Sequence, residues 1–337
     1  MNAQVTLADV AQASGCSLAT VSLALRNKPG VSQETRKRIM DVAAELGYAV
    51  RPVEAAAETV GLLIKSEPEL PQRGGPFYAY VLAGIEEVCR RHRINLLYGT
   101  MLVDASNRAL ETPPLLFNDT LDGLLMVGVR LDDTLVTTLS RLHIPLVLVD
   151  AYTEVPKVDA VLSNNFRAAY NAAEYLWQRG HRHIALVGGG PTSFPSIVER
   201  YRGYQQALFD RGMTETYVAD CELRSDAAFE ATRSLLLRHP EITAIFGCND
   251  EMAIAAMQAA RELGIAVPQQ LSVVGFDDIE LAQHVVPALT TLHVDKVLMG
   301  QMAMQLLLWR LDNLDATRVT TLIDAPLVER QSVAVCS

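Results

Sequence analysis

Residues 5–47 read VTLADVAQASGCSLATVSLALRNKPGVSQETRKRIMDVAAELG, and they predict three short helices in close succession. Thr6 opens a Thr-Leu-Ala-Asp sequence that matches an N-terminal capping box, with Asp in place of the usual Glu. Ser17 and Ser32 stand before the second and third helical patterns, where their hydroxyls can cap the helices. Gly47 follows the third pattern and suits the left-handed residue that ends a helix. Two short helices joined by a tight turn and supported by a third form a helix-turn-helix.

The predicted core of this head consists of apolar residues at helical spacing. They are Leu7, Val10, Ala11, Val21, Ala24, Leu25, Ile39, Val42, Ala43 and Leu46. In a helix-turn-helix the second helix enters the major groove of DNA, and its exposed early residues face the base edges. A three-helix module that binds another protein would show the same spacing, so the pattern by itself leaves both functions open.

Charge is unevenly distributed along the chain. The whole sequence has a formal net charge of −10, whereas residues 1–52 carry six Lys and Arg against four Asp and Glu. The acidic excess therefore belongs to the rest of the chain. This distribution favours a DNA-reading head on a body that is kept away from DNA.

From Val60 onwards, short apolar runs alternate with helical patterns, which predicts βαβ units and parallel sheets. The predicted strands cover residues 60–64, 95–101, 123–128, 145–149, 183–188, 244–248 and 271–276. The predicted helices cover residues 78–92, 131–141, 166–179, 199–211, 226–238, 250–263 and 296–311. Pro113 and Pro114 interrupt a helical pattern, so residues 105–120 are expected to be irregular or only partly helical. In such folds, ligands bind at the carboxyl ends of the strands.

The sequence carries no catalytic set, and it argues against a metal site and a membrane span. It contains no G-x-S-x-G motif and no P-loop, and Gly188–Pro191 is predicted to be a binding-site turn rather than a dinucleotide motif. His181 and His183 lack a third ligand of matching spacing, so we predict neither a metal nor a cofactor. The five cysteines are scattered, no apolar run reaches the roughly 18–20 residues of a membrane span, and the start lacks a secretory pattern. We therefore expect a cytoplasmic protein with free thiols and no membrane partner.

The head resembles the DNA-binding domain of LacI-type bacterial transcription regulators in the segments TLADVA, ATVS, KPGVS, ETR and AAELGY. The resemblance implies that Leu18 and Ala19 open the recognition helix and face the bases. The residues that it implies for contacts with the DNA backbone are Thr6, Ser17, Ser22, Ser32, Thr35 and Tyr48. Leu23 stands where the family usually has Arg, and Arg26 stands where it usually has Asn. We therefore expect DNA to be read through thymine methyl groups, Ser22, Arg26 and DNA shape.

Residues 48–59 form the linker to the body. LacI-type proteins usually carry a longer hinge here, which becomes helical on DNA and inserts a leucine into the minor groove. This linker contains no leucine and carries Glu54 and Glu58, whose carboxylates repel phosphates. Its Ala-rich sequence fits either a helix or a simple tether, and we do not predict a minor-groove wedge.

The resemblance continues over the body in the segments DGLLMVGV, RGHRHIALVGGG, ERYRGYQQAL, AIFGCNDEMAIAAMQAARELGIAVPQQLSVVGFDDI and ALTTLHVDKVLMG. It implies a core similar to periplasmic sugar-binding proteins, in which three crossovers join two doubly wound α/β subdomains. The crossovers are placed near Asn164, Thr291–His293 and Asp324–Pro326.

The predicted fold is therefore an all-α helix-turn-helix head followed by an α/β periplasmic-binding-protein-like core. The head covers residues 1–47, the linker 48–59 and the core 60–337. Within the core, the N-subdomain is expected to hold residues 60–163 and 293–324, and the C-subdomain residues 165–290 and 326–337.

In such a core the effector binds in the cleft between the subdomains. The resemblance assigns Phe77 and Tyr78 to an aromatic pair at the start of the first core helix, and Arg200, Asn249 and Asp277 to polar contacts with the effector. Apolar ring faces suit the C–H surface of a sugar, and charged planar groups suit its hydroxyls. Each residue has a local alternative: a helix cap for Asn249, a turn for Asp277, a surface ion pair for Arg200, and core packing for one aromatic ring.

Two further positions belong to this predicted cleft. Asp150 ends a strand as Val-Asp and is a weaker candidate. Cys221 stands where family members often place a Trp or Phe that stacks on the effector. A small thiol leaves more room, which fits a bulkier ligand or one held mainly by Phe77 and Tyr78.

The whole chain is interpreted as a ligand-responsive transcriptional repressor that binds a near-palindromic operator as a homodimer. The Met- and Leu-rich face of residues 296–311 exceeds what one core needs and indicates a partner surface. The expected effector is a sugar or sugar derivative. The alternatives are a nucleoside or purine effector, a protein corepressor, and a solute-binding protein of transport or chemotaxis.

Arg26 is predicted to contribute directly to DNA affinity. Arg26→Ala should weaken operator binding and flatten its salt dependence, because the variant has one cation fewer and releases fewer counterions from the phosphates. Gel-shift titrations of both proteins across a salt series provide the measurement, and equal affinities throughout the series would contradict the assignment.

Overall fold

The computed structural model describes residues 7–25, 30–48, 58–66, 75–104, 107–118, 120–140, 144–153, 158–213 and 215–336. Packing divides the chain into two compact units, Met1–Glu58 and Thr59–Ser337. Thr6, Arg26 and most of the linker, 49–57, lie outside the described residues, as do the side chains of Ala19 and Ser22.

Three helices build the head: α1 (Leu7–Ser14), α2 (Leu18–Leu25) and α3 (Gln33–Glu45). They close over a small apolar core. Its buried members are Val10, Ala11, Val21, Ala24, Leu25, Ile39 and Ala43. Leu46 was predicted to face inward and is instead 39% exposed, because α3 ends one residue earlier.

Polar contacts fix the ends of these helices. The Ser17 hydroxyl accepts a hydrogen bond from the Thr20 amide at 3.1 Å, and the Ser32 hydroxyl accepts one from the Thr35 amide at 3.2 Å, so both predicted caps are confirmed. Arg36 of α3 donates to the Ala24 carbonyl at 2.9 Å. That bond satisfies a carbonyl at the end of α2 and ties the recognition helix to α3.

The N-subdomain is built on six parallel strands among the described residues. They are β1 (Thr59–Ser66), β2 (Asn95–Leu102), β3 (Gly123–Val127), β5 (Leu146–Val149), β7 (Asp159–Ser163) and β13 (Thr320–Ile323), in the spatial order β13-β7-β5-β3-β1-β2. Its helices are α4 (Gly75–His92), α5 (Asp133–Ser140) and α10 (Lys296–Asp312). The two-residue strands β4 (Arg130–Leu131) and β6 (Tyr152–Thr153) pair beside this sheet.

The C-subdomain repeats the pattern within the described residues. Its strands are β8 (Ile184–Val187), β9 (Tyr217–Ala219), β10 (Ala244–Gly247), β11 (Ser272–Asp277), β12 (Thr290–His293) and β14 (Leu327–Val328), in the order β14-β12-β11-β10-β8-β9. The edge strand β14 runs antiparallel to β12. The helices are α6 (Asn165–Gln178), α7 (Pro195–Asp210), α8 (Ser225–Arg238) and α9 (Asp250–Glu262).

The chain passes between the two sheets after β7, after β12 and after β13. The first and third passages touch, since the Asn164 amide donates to the Asp324 carboxylate at 2.9 Å. Among the described residues, no helix is both long and apolar enough to cross a membrane.

Most predicted elements of the core are present, with shifted ends. Helix α7 begins at Pro195 rather than at residue 199, because proline suits the first helical position. Around Pro113, the described residues 107–118 contain a short 3-10 turn, Pro114–Phe117, as the double proline predicted. Seven strands of the described residues were not predicted, because they are short and lack a distinct period: β4, β6, β7, β9, β12, β13 and β14.

The apolar face of α10 is used mainly inside the protein. Met299, Met304 and Leu307 are buried, which accounts for much of the excess that was assigned to a partner. A Cβ on Gly84 would lie 2.1 Å from the Val297 carbonyl oxygen, so glycine lets α4 and α10 approach closely. The side chains of this helix that remain exposed for the predicted partner surface include Leu298 and Trp309.

A buried ion pair holds α10 on the N-subdomain sheet. Arg310 is 1% exposed and donates to both carboxylate oxygens of Asp159, at 2.6 and 2.8 Å. Val319 donates its amide to the same carboxylate at 2.8 Å, which places β13 beside β7. Arg310 also donates to backbone carbonyls that follow α10.

Asp159→Asn should lower the free energy of unfolding by about 3–5 kcal/mol, because it leaves the Arg310 charge buried without a counter-ion. Urea unfolding provides the measurement. Arg91→Gln serves as the control, since it breaks an exposed pair with Glu87 that contributes at most about 1 kcal/mol. Equal losses in the two variants would contradict this role for Asp159.

Candidate functional sites

Arg200 of α7 joins the carboxyl ends of strands in the cleft. It is 5% exposed. Its Nε donates to the Asn165 side-chain oxygen at 2.8 Å, one terminal nitrogen donates to the Cys248 carbonyl at 2.6 Å, and the other reaches the Asp277 carboxylate at 3.3 Å. The guanidinium also stacks on the Phe276 ring, 3.5 Å from its centroid. Arg200 is therefore a buried junction and not the surface ion pair that was the local alternative.

Asp277 ends β11 in an unusual backbone conformation. Its φ is 106° and that of Asp278 is 52°, both in the region that favours glycine. Burial raises the pKa of Asp277, while the Arg200 and Lys296 charges oppose this shift. The turn thus places a carboxylate that is 14% exposed beside Arg200.

The facing wall comes from α4 and the end of β5. Tyr78 donates its hydroxyl to the Asp150 carboxylate at 2.9 Å, and Phe77 packs edge-on against Tyr78 with ring centroids 5.1 Å apart. Tyr78 is buried, and a Cβ on Gly128 would lie 2.6 Å from its hydroxyl oxygen. Tyr78 is therefore the aromatic residue that also packs in the core, whereas Phe77 is only half-buried.

The charges of Asp150 and Asp277 interact, and both act on Tyr78. The pKa of Asp150 is raised to about 6, mainly by burial and in smaller part by the Asp277 charge, while the Arg200 charge and the Tyr78 hydroxyl oppose the shift. Burial and the Asp150 charge also raise the pKa of Tyr78 well above its ordinary value. Arg200, Tyr78, Asp150 and Asp277 are therefore brought together, although they come from four separate parts of the chain.

Asn249 caps a helix, which was the local alternative to its predicted contact with the effector. Its side-chain oxygen caps α9 by accepting the Met252 amide at 2.9 Å. The nitrogen of the same amide group is the part of Asn249 that suits a ligand hydroxyl. The next residue, Asp250, is fully buried and accepts the Ile279 amide at 2.7 Å and the Thr291 hydroxyl.

Cys221 lies beside the glycine turn that was predicted to belong to the binding site. Burial raises the pKa of its thiol to about 11, and the Gly188 backbone also contacts it. The Cys248 thiol donates to the Gly188 carbonyl at 2.9 Å. A Cβ on Gly190 would lie 2.4 Å from an Asp220 carboxylate oxygen, so glycine lets this turn approach the end of β9.

Three polar or aromatic residues of the cleft were not predicted from the sequence: Asn165, Tyr152 and Phe194. Asn165 donates to the Tyr152 hydroxyl at 3.1 Å, and the Tyr152 ring packs edge-on against Phe194 at 5.3 Å between centroids. Asn165 also accepts a hydrogen bond from Arg200. It therefore connects Tyr152 of the N-subdomain with Arg200 of the C-subdomain. A search for residues directly after β7 would have found Asn165, but β7 itself was not predicted.

In the head, the predicted DNA contacts divide into caps and exposed positions. Ser17, Ser32 and Thr35 lie at the starts of α2 and α3, where the two serines act as caps and Thr35 accepts the Ser32 hydroxyl at 2.8 Å. Leu18 is 44% exposed, while Leu23 is half-buried. Tyr48 packs against the head core. Four predicted DNA contacts lie outside the described residues or side chains: Thr6, Ala19, Ser22 and Arg26.

Comparison with known protein families divides the chain in the same way. Residues 6–50 match the family described as bacterial regulatory proteins, lacI family. Residues 173–333 match the periplasmic binding protein-like domain.

Individual relatives align over nearly the whole chain. The ribose operon repressor of Haemophilus influenzae is 30% identical over 338 residues, which cover 97% of this chain and 98% of that protein. The HTH-type transcriptional repressor PurR of Edwardsiella ictaluri is 32% identical over 342 residues, which cover 98% and 97%. The solved complex of the transcriptional regulator CelR with cellobiose superposes with a TM-score of 0.70 at 27% identity, over 97% of this chain and 99% of that one. The helix-turn-helix head and the binding-protein-like core predicted from the sequence are thereby confirmed.

The raised pKa of Asp150 predicts a pH-dependent stability. Between its ordinary value of 3.8 and its folded value of about 6, the folded protein holds a proton that the unfolded chain has lost. The free energy of unfolding should therefore fall as the pH rises through this interval, with up to about 3 kcal/mol from this group. Asp150→Asn should lack this component in urea unfolding across a pH series.

Tyr78→Phe is the matched control for this experiment. It removes the hydroxyl that stabilises the Asp150 carboxylate, which raises the folded pKa of Asp150, so the fall in stability should extend to higher pH. Identical pH profiles for the wild type and Asp150→Asn would contradict the assignment.

Proposed function

The chain belongs to the lacI family of bacterial regulatory proteins, and we propose that it is a cytoplasmic transcriptional repressor controlled by a small molecule. It acts as a homodimer, whose two heads read the halves of a near-palindromic operator. The main support is the combination of a complete helix-turn-helix with a polar cleft built around Arg200. The named relatives are repressors rather than enzymes.

The effector that fits the cleft best is an uncharged, polyhydroxylated molecule, namely a sugar. Asp150 and Asp277 offer carboxylate oxygens to hydroxyl donors. The Arg200 guanidinium already faces Asp277 and two further protein groups, although it has more N–H groups than those bonds use. An added phosphate or carboxylate would meet the like charges of Asp150 and Asp277, while Arg200, the cation beside both, is already hydrogen-bonded. Two of the three proteins compared above support a sugar, since their names mention ribose and cellobiose.

Ligand binding would act through the angle between the subdomains. Phe77, Tyr78 and Asp150 belong to the N-subdomain, whereas Arg200 and Asp277 belong to the C-subdomain. A ligand that contacts both walls stabilises one relative orientation over others. We infer a coupling to operator affinity of about 1–3 kcal/mol, reciprocal between effector and DNA.

The head reads DNA with few polar side chains on its recognition helix. Leu18 and Ala19 face thymine methyl groups, and Ser22, Leu23 and Arg26 complete the recognition surface. Backbone contacts from residues such as Thr35 and Tyr48 set the register. DNA shape supplies the remaining specificity.

Calorimetric titration with ribose, cellobiose, a phosphorylated sugar and nucleosides tests the effector class. An uncharged sugar should bind, and the phosphorylated sugar should bind at least tenfold more weakly. Arg200→Ala should weaken sugar binding at least tenfold, because it removes the charge that orients Asp277. Arg202→Ala is the control, since Arg202 lies on the same helix and its side chain is 65% exposed.

Tighter binding of the phosphorylated sugar or of a nucleoside would refute the proposed effector class. Equal effects of the Arg200 and Arg202 substitutions would refute the proposed site.

A further inference from the structure

Lys296 is a buried cation that the effector assignment did not include. It is the first residue of α10 and is 6% exposed. Its ammonium group donates to three backbone carbonyls: that of Asp277, that of Asp278 at 3.3 Å and that of Val294 at 3.1 Å. The ammonium nitrogen also lies 5.6 Å from the centroid of the Phe77 ring.

The buried ammonium group of Lys296 does not stabilise α10 itself. A cation in the first turn of a helix opposes the helix dipole, and burial disfavours the charged form and lowers the pKa of Lys296. The helix already has a cap, because the Asp295 carboxylate accepts the Leu298 amide at 2.8 Å. The surrounding carboxylates of Asp277, Asp278, Asp250 and Asp295 offset the burial of the charge.

The carbonyls that Lys296 binds belong to the two left-handed residues at the end of β11. Such a conformation is uncommon for residues other than glycine and persists where the surroundings hold it. One ammonium group that binds both carbonyls orients two successive peptide planes. Asp278 is also held by Arg330 at 2.6 Å and His293 at 2.8 Å through its carboxylate.

Lys296 thereby connects the two subdomains next to a crossover. Helix α10 packs on α4 in the N-subdomain, while Asp277 and Asp278 follow the sheet of the C-subdomain. We infer that Lys296 is a positioning residue for the cleft: it holds the backbone at Asp277 and Asp278 so that the Asp277 carboxylate faces Arg200. This inference rests on the proposed function, in which Asp277 contacts the effector.

Hydrogen–deuterium exchange of the full-length protein without ligand tests the positioning. The reporter is the Ile279 amide, which donates to Asp250 directly after the two left-handed residues. Lys296→Met should raise its exchange rate at least tenfold, because the two peptide planes lose their common donor. Lys296→Arg retains a charged donor and should stay within threefold of the wild type, as should Gln305→Met on the exposed face of α10.

Unchanged exchange at Ile279 in Lys296→Met would overturn the inference. An equal rise at Val273, inside β11, would also overturn it, because the substitution would then loosen the C-subdomain generally. An equal rise of the Ile279 exchange rate in Lys296→Arg would also overturn the inference, because it would show that side-chain shape rather than the charged donor matters.

A double-mutant cycle on the affinity for ribose or cellobiose tests whether Lys296 acts through Asp277. Lys296→Met should weaken binding at least fivefold in the wild-type background and less than twofold in the Asp277→Asn background. Equal factors in both backgrounds would overturn the inference. If neither sugar binds the wild type, the proposed effector class fails, whereas the exchange experiment still decides the role of Lys296.

Discussion

The buried Arg200 guanidinium is the group on which the geometry of the cleft depends. It binds a side chain at the start of α6, a carbonyl after β10 and a carboxylate at the end of β11, and it lies on the Phe276 ring. A buried charge is stable only when it is paired and hydrogen-bonded, so its partners have little freedom to move. The Asp277 carboxylate and the Asn165 side chain are thereby held in one relative position.

The cleft concentrates groups that a purely structural core would avoid. Burial raises the pKa of Asp150 to about 6 and that of Asp250 to about 8, and Asp277 and Asp278 have left-handed backbones. The rest of the core consists mainly of apolar strands, with glycines where α4 and α10 meet and the buried Arg310–Asp159 pair as a charged exception. Departures of this kind cluster at functional sites, where polar groups must be held ready for a ligand.

Prediction from the sequence succeeded where the signal was local. The caps at Ser17 and Ser32 follow from residue type and spacing, as does the irregular segment after Pro113. It failed where long-range packing decides. The short strand β7 has no period of its own, and without it Asn165 had no visible reason to lie in the cleft. Long-range packing also decided which side chains of α10 are buried against α4 and the sheet, whereas the partner surface on this helix stays a prediction.

Local signals in the sequence were enough to predict the helix-turn-helix, the alternation of strands and helices, and the residue types of the cleft, because capping, periodicity and turn chemistry act between near neighbours. Which of those residues meet depends on the folding of the whole core. Asp150 and Asp277 share one electrostatic environment across more than a hundred intervening residues, and Lys296 reaches the backbone of Asp277 from the next subdomain. Such contacts depend on how two sheets and their crossovers pack, and no local pattern along the chain encodes that arrangement.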